Sequence, residues 1–553
     1  MTFSGSGTTT ISVNQEYTGT TTVSAGTTLS VSGGITFAGD VEFAAGSKFD
    51  IANYVGGVNP VTAKSFTFPD SGTVSLTLNS GSFIAGAYAI CKASLVSAEQ
   101  ARLSFAPSTG DLKYSWDVSA TGDLLLLVGD IHGYSWTGFA GDNKFATGGN
   151  WVNGSAPGAN GSVDFSAVSS NISIDMEGVK EGTTFGEVTM GTGVITFTGK
   201  FAATSFSDTS KIAVGADSTV TVLGDLEFGV DGNAYICYSV AQGGKFEVTG
   251  DIIVAPEQTK SLLPCKVTVN EGVISAKGLV TRNSKDLFAL SWFQDDASAK
   301  WLIGENGICG TGTGAFFVGD KPRGQATIIA ATNFVVSAHI ISWRDLTFDT
   351  AGYTVALGTK TLAKSGGISG NGNKNTEASG SVTVIGAGKV VANYNVNDLT
   401  TSSISKNNPF TVTDGATLVF KPGANIGTGL LTIKGGAALE IPESGMVTHN
   451  GKLSLETGAA LAFNFTDRKT APVLALADGK AVTFTGEGEI AVKITGDVWP
   501  IGGDYVLTAC GGFDAEGVSL ASVHPKWATG IRVNADGNIV LTVRPKSTMI
   551  IVR

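Results

Sequence analysis

The chain has 553 residues, of which 75 are Gly, and its formal net charge is −11. Gly is therefore twice as frequent as its usual ~7%, and charged residues, at 15%, fall well below the usual ~25%. The acidic balance and the lack of a basic cluster argue against a general nucleic-acid-binding protein, and the 42% hydrophobic content argues against disorder. Composition favours an all-β repeat protein whose core grows along one axis.

Residues 1–85 contain short strands that end in Gly turns. Large side chains alternate with small or polar ones at residues 29–31 (LSV) and 49–51 (FDI), and such alternation is typical of strands. The turn at residues 25–26 (AG) recurs at residues 45–46. Short strands that repeat with a period of about 20 residues predict the coils of a parallel β-helix.

One pattern occurs twice along the chain. Residues 116–128 (WDVSATGDLLLLV) and 531–543 (IRVNADGNIVLTV) both read V-x-A-x-G-x-(L/I)-x-L-x-V, and a Gly-x-Tyr strand precedes each, at residues 86–88 and 503–505. The match predicts one closing module that is used twice, at residues 86–128 and 503–543. The first copy ends a predicted β-helix unit over residues 1–130.

Aromatic residues mark the next segment, residues 131–165. Trp136, Phe139, Phe145 and Trp151 lie among Gly and Asn turns. Exposed aromatic rings can stack on sugars, but paired Trp residues more often close the open end of a core. We therefore expect residues 131–165 to form an aromatic cap or linker.

The main β-helix unit is predicted over residues 166–545, and a tail strand follows at residues 546–553. The most regular part of this unit contains a Gly-Ala-x-Leu motif that begins at Gly415, Gly436 and Gly458, so its spacing is nearly constant. Residues 281–304 interrupt the pattern and predict a longer excursion. Together these segments predict an all-β, right-handed parallel β-helix rod in two concatenated units.

Cysteine usage and hydropathy add little to this interpretation. The five cysteines are odd in number, widely spaced and without a CxxC pair, so we expect small interior side chains and neither a zinc site nor a disulfide framework. No apolar run approaches the ~18 residues that span a bilayer. The N-terminus lacks the regions of a signal peptide, so a secreted protein would be present here in its mature form.

Several motifs together resemble a known family. They are residues 17–33 (YTGTTTVSAGTTLSVSG), residues 413–423 (TDGATLVFKPG), the W-x-G…G-N-W…P-G segment at 136–165 and the closing module at 503–543. These resemble autotransporter-associated β-strand repeats of passenger-type surface proteins from Gram-negative bacteria. The resemblance implies an extracellular β-helix that serves adhesion or surface structure, and it implies no catalytic residue.

Motifs for catalysis are sparse. The four histidines lie far apart without an HExxH pair, and no G-x-S-x-G elbow, P-loop or calcium nonapeptide occurs, so no metal or cofactor is predicted. A polysaccharide lyase or hydrolase would need carboxylates a few ångströms apart. The candidate glycan contacts are Trp292, Trp301, Asp295 and Asp296. Adjacent carboxylates point to opposite faces of a strand, however, so the favoured interpretation is a solvated loop with two core Trp residues.

The leading functional hypothesis is a non-enzymatic structural or adhesive protein of a bacterial cell surface. It would self-associate through its ends, by end-to-end or donor-strand joining, and the candidate assembly residues lie in the tail: Thr548, Met549, Ile550, Ile551 and Val552. Host or matrix glycans are possible partners. The alternatives are a glycan-binding or polysaccharide-degrading β-helix and a phage or secreted fibre module. The sequence identifies neither the ligand nor the mode of anchoring.

Overall fold

The computed structural model describes the chain except for residues 55–58, 70–71, 80–85, 94–95, 98–102, 106–113, 119–121, 129–133, 153–154, 229–234, 255–262, 267–271, 282–287, 290–297, 311–314, 319–324, 343–344, 358–367, 370–380, 394–408, 423, 425–428, 478–479, 481, 523, 525 and 547–553. The described secondary structure is β-strand, with three short 3-10 helices at Gly148–Asn150, Thr209–Lys211 and Ala515–Gly517. The chain forms two compact units, Met1–Ala213 and Val214–Arg553. In the described part, no helix is long and apolar enough to span a membrane.

The first unit contains strands β1 to β19, and β20 lies at the boundary. Their bounds are β1 (Thr2–Phe3), β2 (Thr8–Ile11), β3 (Thr21–Val23), β4 (Thr28–Ser32), β5 (Asp40–Phe43), β6 (Lys48–Ala52), β7 (Val61–Thr62), β8 (Ser65–Thr67), β9 (Val74–Asn79), β10 (Gly86–Lys92), β11 (Val96–Ser97), β12 (Leu103–Phe105), β13 (Tyr114–Val118), β14 (Leu124–Val128), β15 (Val163–Asp164), β16 (Ile172–Asp175), β17 (Phe185–Thr189), β18 (Ile195–Thr198), β19 (Lys200–Phe206) and β20 (Ile212–Val214).

The second unit contains the remaining strands. Their bounds are β21 (Thr219–Val222), β22 (Leu226–Phe228), β23 (Tyr235–Val240), β24 (Lys245–Val248), β25 (Asp251–Val254), β26 (Leu263–Lys266), β27 (Val273–Thr281), β28 (Phe288–Ala289), β29 (Ser298–Gly310), β30 (Ala315–Val318), β31 (Gln325–Ala330), β32 (Phe334–Val336), β33 (His339–Ser342), β34 (Leu346–Asp349), β35 (Thr354–Leu357), β36 (Ile368–Ser369), β37 (Val382–Ile385), β38 (Lys389–Ala392), β39 (Phe410–Val412), β40 (Thr417–Phe420), β41 (Leu431–Ile433), β42 (Ala438–Ile441), β43 (Gly445–His449), β44 (Leu453–Glu456), β45 (Ala460–Asn464), β46 (Pro472–Leu476), β47 (Val482–Thr485), β48 (Ile490–Thr495), β49 (Gly503–Val506), β50 (Thr508–Ala509), β51 (Val518–Leu520), β52 (Trp527–Val533) and β53 (Ile539–Pro545).

Parallel, in-register stacking organises the start of the first unit. One sheet has the order β1-β3-β5-β8-β11 and another has the order β12-β9-β6-β4-β2. Leu29 pairs with Phe49, which occupies the same position in the next repeat, and both side chains are fully buried. The pairing confirms the spacing that the repeated Ala-Gly turn predicts. The turns stack as well, because the Gly26 N–H donates to the Gly46 carbonyl at 3.0 Å.

Three series of parallel strands make up most of the second unit. The first series runs β21, β24, β27, β29, β31, β34, β37, β39, β41, β44, β47 and the second runs β22, β25, β27, β29, β32, β35, β38, β40, β42, β45, β48, β51. A third series contains β23-β26, β28-β30-β33-β36 and β43-β46-β50. In the second series Leu418, Leu439 and Leu461 pair in register and are buried, which confirms the Gly-Ala-x-Leu spacing.

The predicted excursion at residues 281–304 is wrong from Ser298 onwards. There β29 runs without interruption to Gly310, and Trp301 pairs with Ile274 on β27 and with Ile328 on β31. Residues 282–287 and 290–297 lie outside the described part. The sequence misleads at this point because β27 and β29 are long strands that each belong to two series at once. In each of them, one strand replaces the usual first-series strand, turn and second-series strand.

Both copies of the predicted closing module form antiparallel sheets of three strands. The first closing sheet has the order β13-β14-β10, and the second has the order β52-β53-β49. Their registers match position for position: Tyr88 pairs with Leu126 in the first sheet, and Tyr505 pairs with Leu541 in the second. The shared sequence pattern therefore specifies the same sheet twice. In the first sheet β10 also pairs in parallel with β7, which joins this sheet to the preceding repeats.

Candidate interaction surfaces

Of the four predicted glycan-contact residues, the structure describes Trp301 and places it in the core. Its side chain has 0% exposure. Trp301 is two residues before Ile303 on β29, so both side chains point to the same, inward face, and Trp301 lies between Ile274 and Ile328 on the neighbouring strands. The interpretation of Trp301 as a sugar-stacking residue is therefore corrected: its ring is part of the hydrophobic interior. Trp292, Asp295 and Asp296 lie outside the described residues, as do the predicted assembly residues Thr548, Met549, Ile550, Ile551 and Val552.

The aromatic segment at residues 131–165 also packs inward. Trp136 and Trp151 meet edge to face with ring centroids 5.1 Å apart, and Phe145 packs on Trp151 at 4.8 Å. The Trp151 indole N–H donates to the Phe145 carbonyl at 2.7 Å, so the polar atom of this buried ring is satisfied. The three rings are buried, and they offer no face to a sugar.

A buried amide holds the loop above these rings. Asn150 has 0% exposure; its side-chain N–H groups donate to Asp142 Oδ1 at 2.7 Å and to the Lys144 carbonyl at 2.9 Å. Its Oδ1 accepts from the Ala140 N–H at 3.0 Å. Hydrogen bonds to the Asp142 carboxylate, first from the Lys144 backbone and then from Thr147, lower the pKa of Asp142. This polar network fixes the loop.

A row of hydroxyl side chains crosses the outward face of the first strand series in the second unit. Consecutive members pair in register on adjacent strands, and each is at least partly exposed. We call these residues the hydroxyl row: Thr327, Thr347, Thr383, Thr411, Thr432, Ser454 and Thr483. Strand spacing in a sheet places neighbouring members about 4.8 Å apart.

The hydroxyl row presents groups that can form hydrogen bonds. A hydroxyl both donates and accepts a hydrogen bond, and part of this capacity is already used, since Thr483 Oγ1 donates to the Leu453 carbonyl at 3.2 Å. Motifs such as residues 410–412 (FTV) and 431–433 (LTI) carried the signal in the sequence. The sequence analysis missed the hydroxyl row because its members become neighbours only through the register between strands.

A partly exposed aromatic cluster lies beside the second closing sheet. The His524 ring is 4.7 Å from the Trp499 ring and 6.4 Å from the Trp527 ring, both in edge-to-face geometry. His524 is 4% exposed, and its Nδ1 accepts from the backbone N–H groups of Lys526 at 2.9 Å and Trp527 at 3.1 Å. Burial lowers the pKa of His524. The two hydrogen bonds to Nδ1 make the ring the anchor of a turn, while the two indoles remain partly exposed.

Charged residues cover the outward face of the second closing sheet. Asp504 accepts from Arg532 at 3.2 Å and from Arg544 at 2.8 Å, and all three side chains are more than one third exposed. Partial desolvation raises the pKa of Asp504, but the hydrogen bond from Arg532 and the charge of Arg544 outweigh it, so this pKa lies below its usual value. The face is a polar surface of the kind that ends a stack of repeats.

His449 is a buried titratable group in the third strand series. It is 1% exposed; its Nε2 lies 3.2 Å from the Lys452 carbonyl, and its Nδ1 has no hydrogen-bond partner. Burial lowers the pKa of His449 to about 4. Within the described residues no group of three or more His, Cys, Asp or Glu side chains could hold a metal ion.

No protein-family model matches the chain, and no curated protein matches it either.

Proposed function

We propose that the chain is a non-enzymatic structural and adhesive protein built from right-handed parallel β-helices. The proposal is supported by the in-register parallel pairing, the alternation of buried and exposed side chains and the three strand series that recur along the second unit. Parallel strands joined by crossover connections are right-handed in about 98% of known cases. The strand repeats and closing modules, with the resemblance they carry to autotransporter-associated repeats, favour a location on a bacterial cell surface.

The hydroxyl row is the observation that carries the adhesive part of this proposal. Seven donor–acceptor groups at a regular spacing suit a ligand that itself repeats hydroxyl groups along a chain, as polysaccharides do. Each hydrogen bond contributes about 0.5–1.5 kcal/mol net, so useful affinity requires several members to act together. A polymer that lies along the row would engage them together.

Co-sedimentation with insoluble polysaccharides, together with a glycan array, tests the adhesive function. We expect the triple variant T383V/T411V/T432V to lose about tenfold or more of its binding, because three hydrogen bonds are removed while side-chain volume and strand propensity are kept. The matched variant T383S/T411S/T432S keeps the hydroxyls and should bind like the wild type.

Two results would count against this role of the row. Wild-type protein that binds no glycan in either assay would remove the adhesive function. Binding that survives the valine variant but is lost in W499A/W527A would place the ligand at the aromatic cluster.

Self-association is the second part of the proposal, and we place it at the tail that contains Thr548 to Val552. Exposed strand edges and spare strands join chains by main-chain hydrogen bonds. Negative-stain microscopy of the full chain at increasing concentration should show end-to-end assemblies, and a chain that stops at Lys546 should not form them. Single particles of the full chain at every concentration would contradict this part.

A further inference from the structure

Two cysteines are paired in register on neighbouring strands of the second unit. Cys237 on β23 and Cys265 on β26 are Cα partners in a parallel pair, and Cys237 has 0% exposure. The other cysteines that lie in described strands have no such neighbour: Cys91 pairs with Leu124 and Val61, and Cys309 pairs with Val280. The fold therefore makes direct neighbours of two cysteines that are well separated in sequence.

The backbone spacing suits a covalent link. Paired strands lie about 4.8 Å apart, and disulfides require Cα atoms at roughly 4.4–6.8 Å. The Cβ atoms must come somewhat closer, at about 3.5–4.5 Å. The register shifts directly after Cys237, where Ser239 pairs with Lys266, and a bulge of this kind bends a strand locally. The link requires this bend to bring the two Cβ atoms within that range.

We propose that Cys237 and Cys265 form a disulfide that joins two successive repeats when the chain folds under oxidising conditions. One thiolate attacks a disulfide oxidant such as oxidised glutathione and releases one glutathione thiolate. The second cysteine thiolate then attacks the mixed disulfide and releases the other glutathione. The two cysteine thiols lose two protons and two electrons, and the oxidant takes up both electrons. The link closes the loop between the two strands and thereby constrains the unfolded chain.

This inference does not depend on the proposed function. It differs from the sequence-based expectation of small interior cysteines, because the register, and not the spacing along the chain, brings the pair together. A disulfide found in the protein from its native source would in addition indicate an oxidising compartment.

Peptide mapping after refolding tests the proposal. The full chain is refolded from denaturant with a reduced and oxidised glutathione mixture, remaining thiols are alkylated, and the protein is digested with trypsin without reduction. We expect a linked species that joins residues 212–245 to residues 261–266, the two tryptic peptides that contain the cysteines. Reduction should release both peptides, and the oxidised wild type should have a higher unfolding midpoint than the reduced wild type.

Three variants make the result specific. C237S and C265S should each abolish the linked peptide and the midpoint difference between oxidised and reduced protein. The control C510S removes a cysteine outside the pair and should leave both unchanged. The proposal is overturned if both peptides of the wild type are recovered alkylated, or if either cysteine is linked to Cys91, Cys309 or Cys510 instead.

Discussion

The two closing sheets share one backbone design and differ on their outward faces. On the first sheet Ala89 and Leu125 are fully covered and pack against Val152 of the aromatic segment. Register places Val506 of the second sheet at the position of Ala89, and Val506 is 43% exposed. Val540, which register places at the position of Leu125, is 2% exposed. The outward face is thus covered at Ala89 in the first sheet and open at the equivalent Val506 in the second.

The inward faces of the two sheets have the same role in both units. Leu124 and Leu126 in the first sheet, and Ile539 and Leu541 in the second, are completely buried. Their common pattern is the V-x-A-x-G-x-(L/I)-x-L-x-V motif, whose apolar positions alternate along the strand. The inward face therefore explains why the motif repeats. The outward face, where the motif leaves the residues open, is free to differ.

The largest expected effect comes from placing a charge at the equivalent outward positions. Ala89→Asp should destabilise the first unit by about 3–5 kcal/mol, because the carboxylate would be buried without a partner. Val506→Asp should change the stability of the second unit by about 0.5 kcal/mol or less, since the position is exposed. Hydrogen exchange with mass spectrometry reports each unit separately. Equal effects at the two positions would show that the two faces do not differ.

Acid should weaken the second unit through His449. Its pKa of about 4 lies below the usual 6.5, so at lower pH the unfolded chain binds a proton that the folded chain does not. The loss of stability begins as the pH falls below 6.5 and is complete near pH 4, where it amounts to about 3 kcal/mol.

The measurement for His449 is the unfolding free energy of the second unit between pH 7 and pH 4. His449→Gln keeps a donor for the Lys452 carbonyl and removes the titration, so its stability should vary less with pH. Asn150→Ser in the first unit is the matched control for loss of a buried polar side chain, and it should leave the pH profile of the second unit unchanged. An unchanged profile in His449→Gln would contradict the assignment.

The glycines in the turns of the two closing sheets offer a finer comparison. Gly122 and Gly537 both have positive φ, 88° and 74°, which costs an Ala residue about 1 kcal/mol or more. A Cβ on Gly537 would also lie 2.7 Å from the Gly512 backbone nitrogen. We therefore expect Gly122→Ala to lower the unfolding free energy by about 1 kcal/mol and Gly537→Ala to lower it by about 2–3 kcal/mol.

Thermal or chemical unfolding, followed by hydrogen exchange in each unit, measures the effect of these glycine variants. Gly517→Ala is the control, because nothing lies within 4 Å of its added Cβ and its φ is not positive. A Gly537→Ala variant as stable as Gly517→Ala would rule out the close approach of the two backbones.

The smallest effect should come from the charged outward face. Asp504 has a lowered pKa, so the stability it contributes is present above the usual pKa of Asp and is lost as the pH falls through its folded value. Because the group is exposed, salt should screen this contribution. Asp504→Asn should remove the corresponding acid dependence of the second closing sheet, as measured by hydrogen exchange. If added salt strengthens the wild-type sheet, the ion pairs are not stabilising.

Short-range patterns predicted much of the fold. The Ala-Gly turn and the Gly-Ala-x-Leu motif each recur at a near-constant spacing, and both identified strands that do pair. The paired Trp136 and Trp151 indicated a buried aromatic cluster. These features depend on side chains within one repeat, which the sequence displays directly.

Features that depend on which strands become neighbours escaped prediction. Successive members of the hydroxyl row are much further apart in sequence between Thr347 and Thr383 than between Thr411 and Thr432. No fixed period would align them. Trp301 was expected as a core residue of a loop, and its place on a continuous strand follows only from its pairing with neighbouring strands, at Ile274 and Ile328.

The closing sheets show where sequence and tertiary structure each decide. The sequence by itself determined that the module occurs twice and which of its residues face inward, because alternation along a strand is a local property. Only the tertiary structure decided what covers the other face. Val152 is distant in sequence from Ala89 and approaches it only after folding. Asp504, Arg532 and Arg544, by contrast, meet across three strands, and their side chains stay more than one third exposed. The burial of that face depends on contacts between segments far apart in the chain, and no local pattern encodes them.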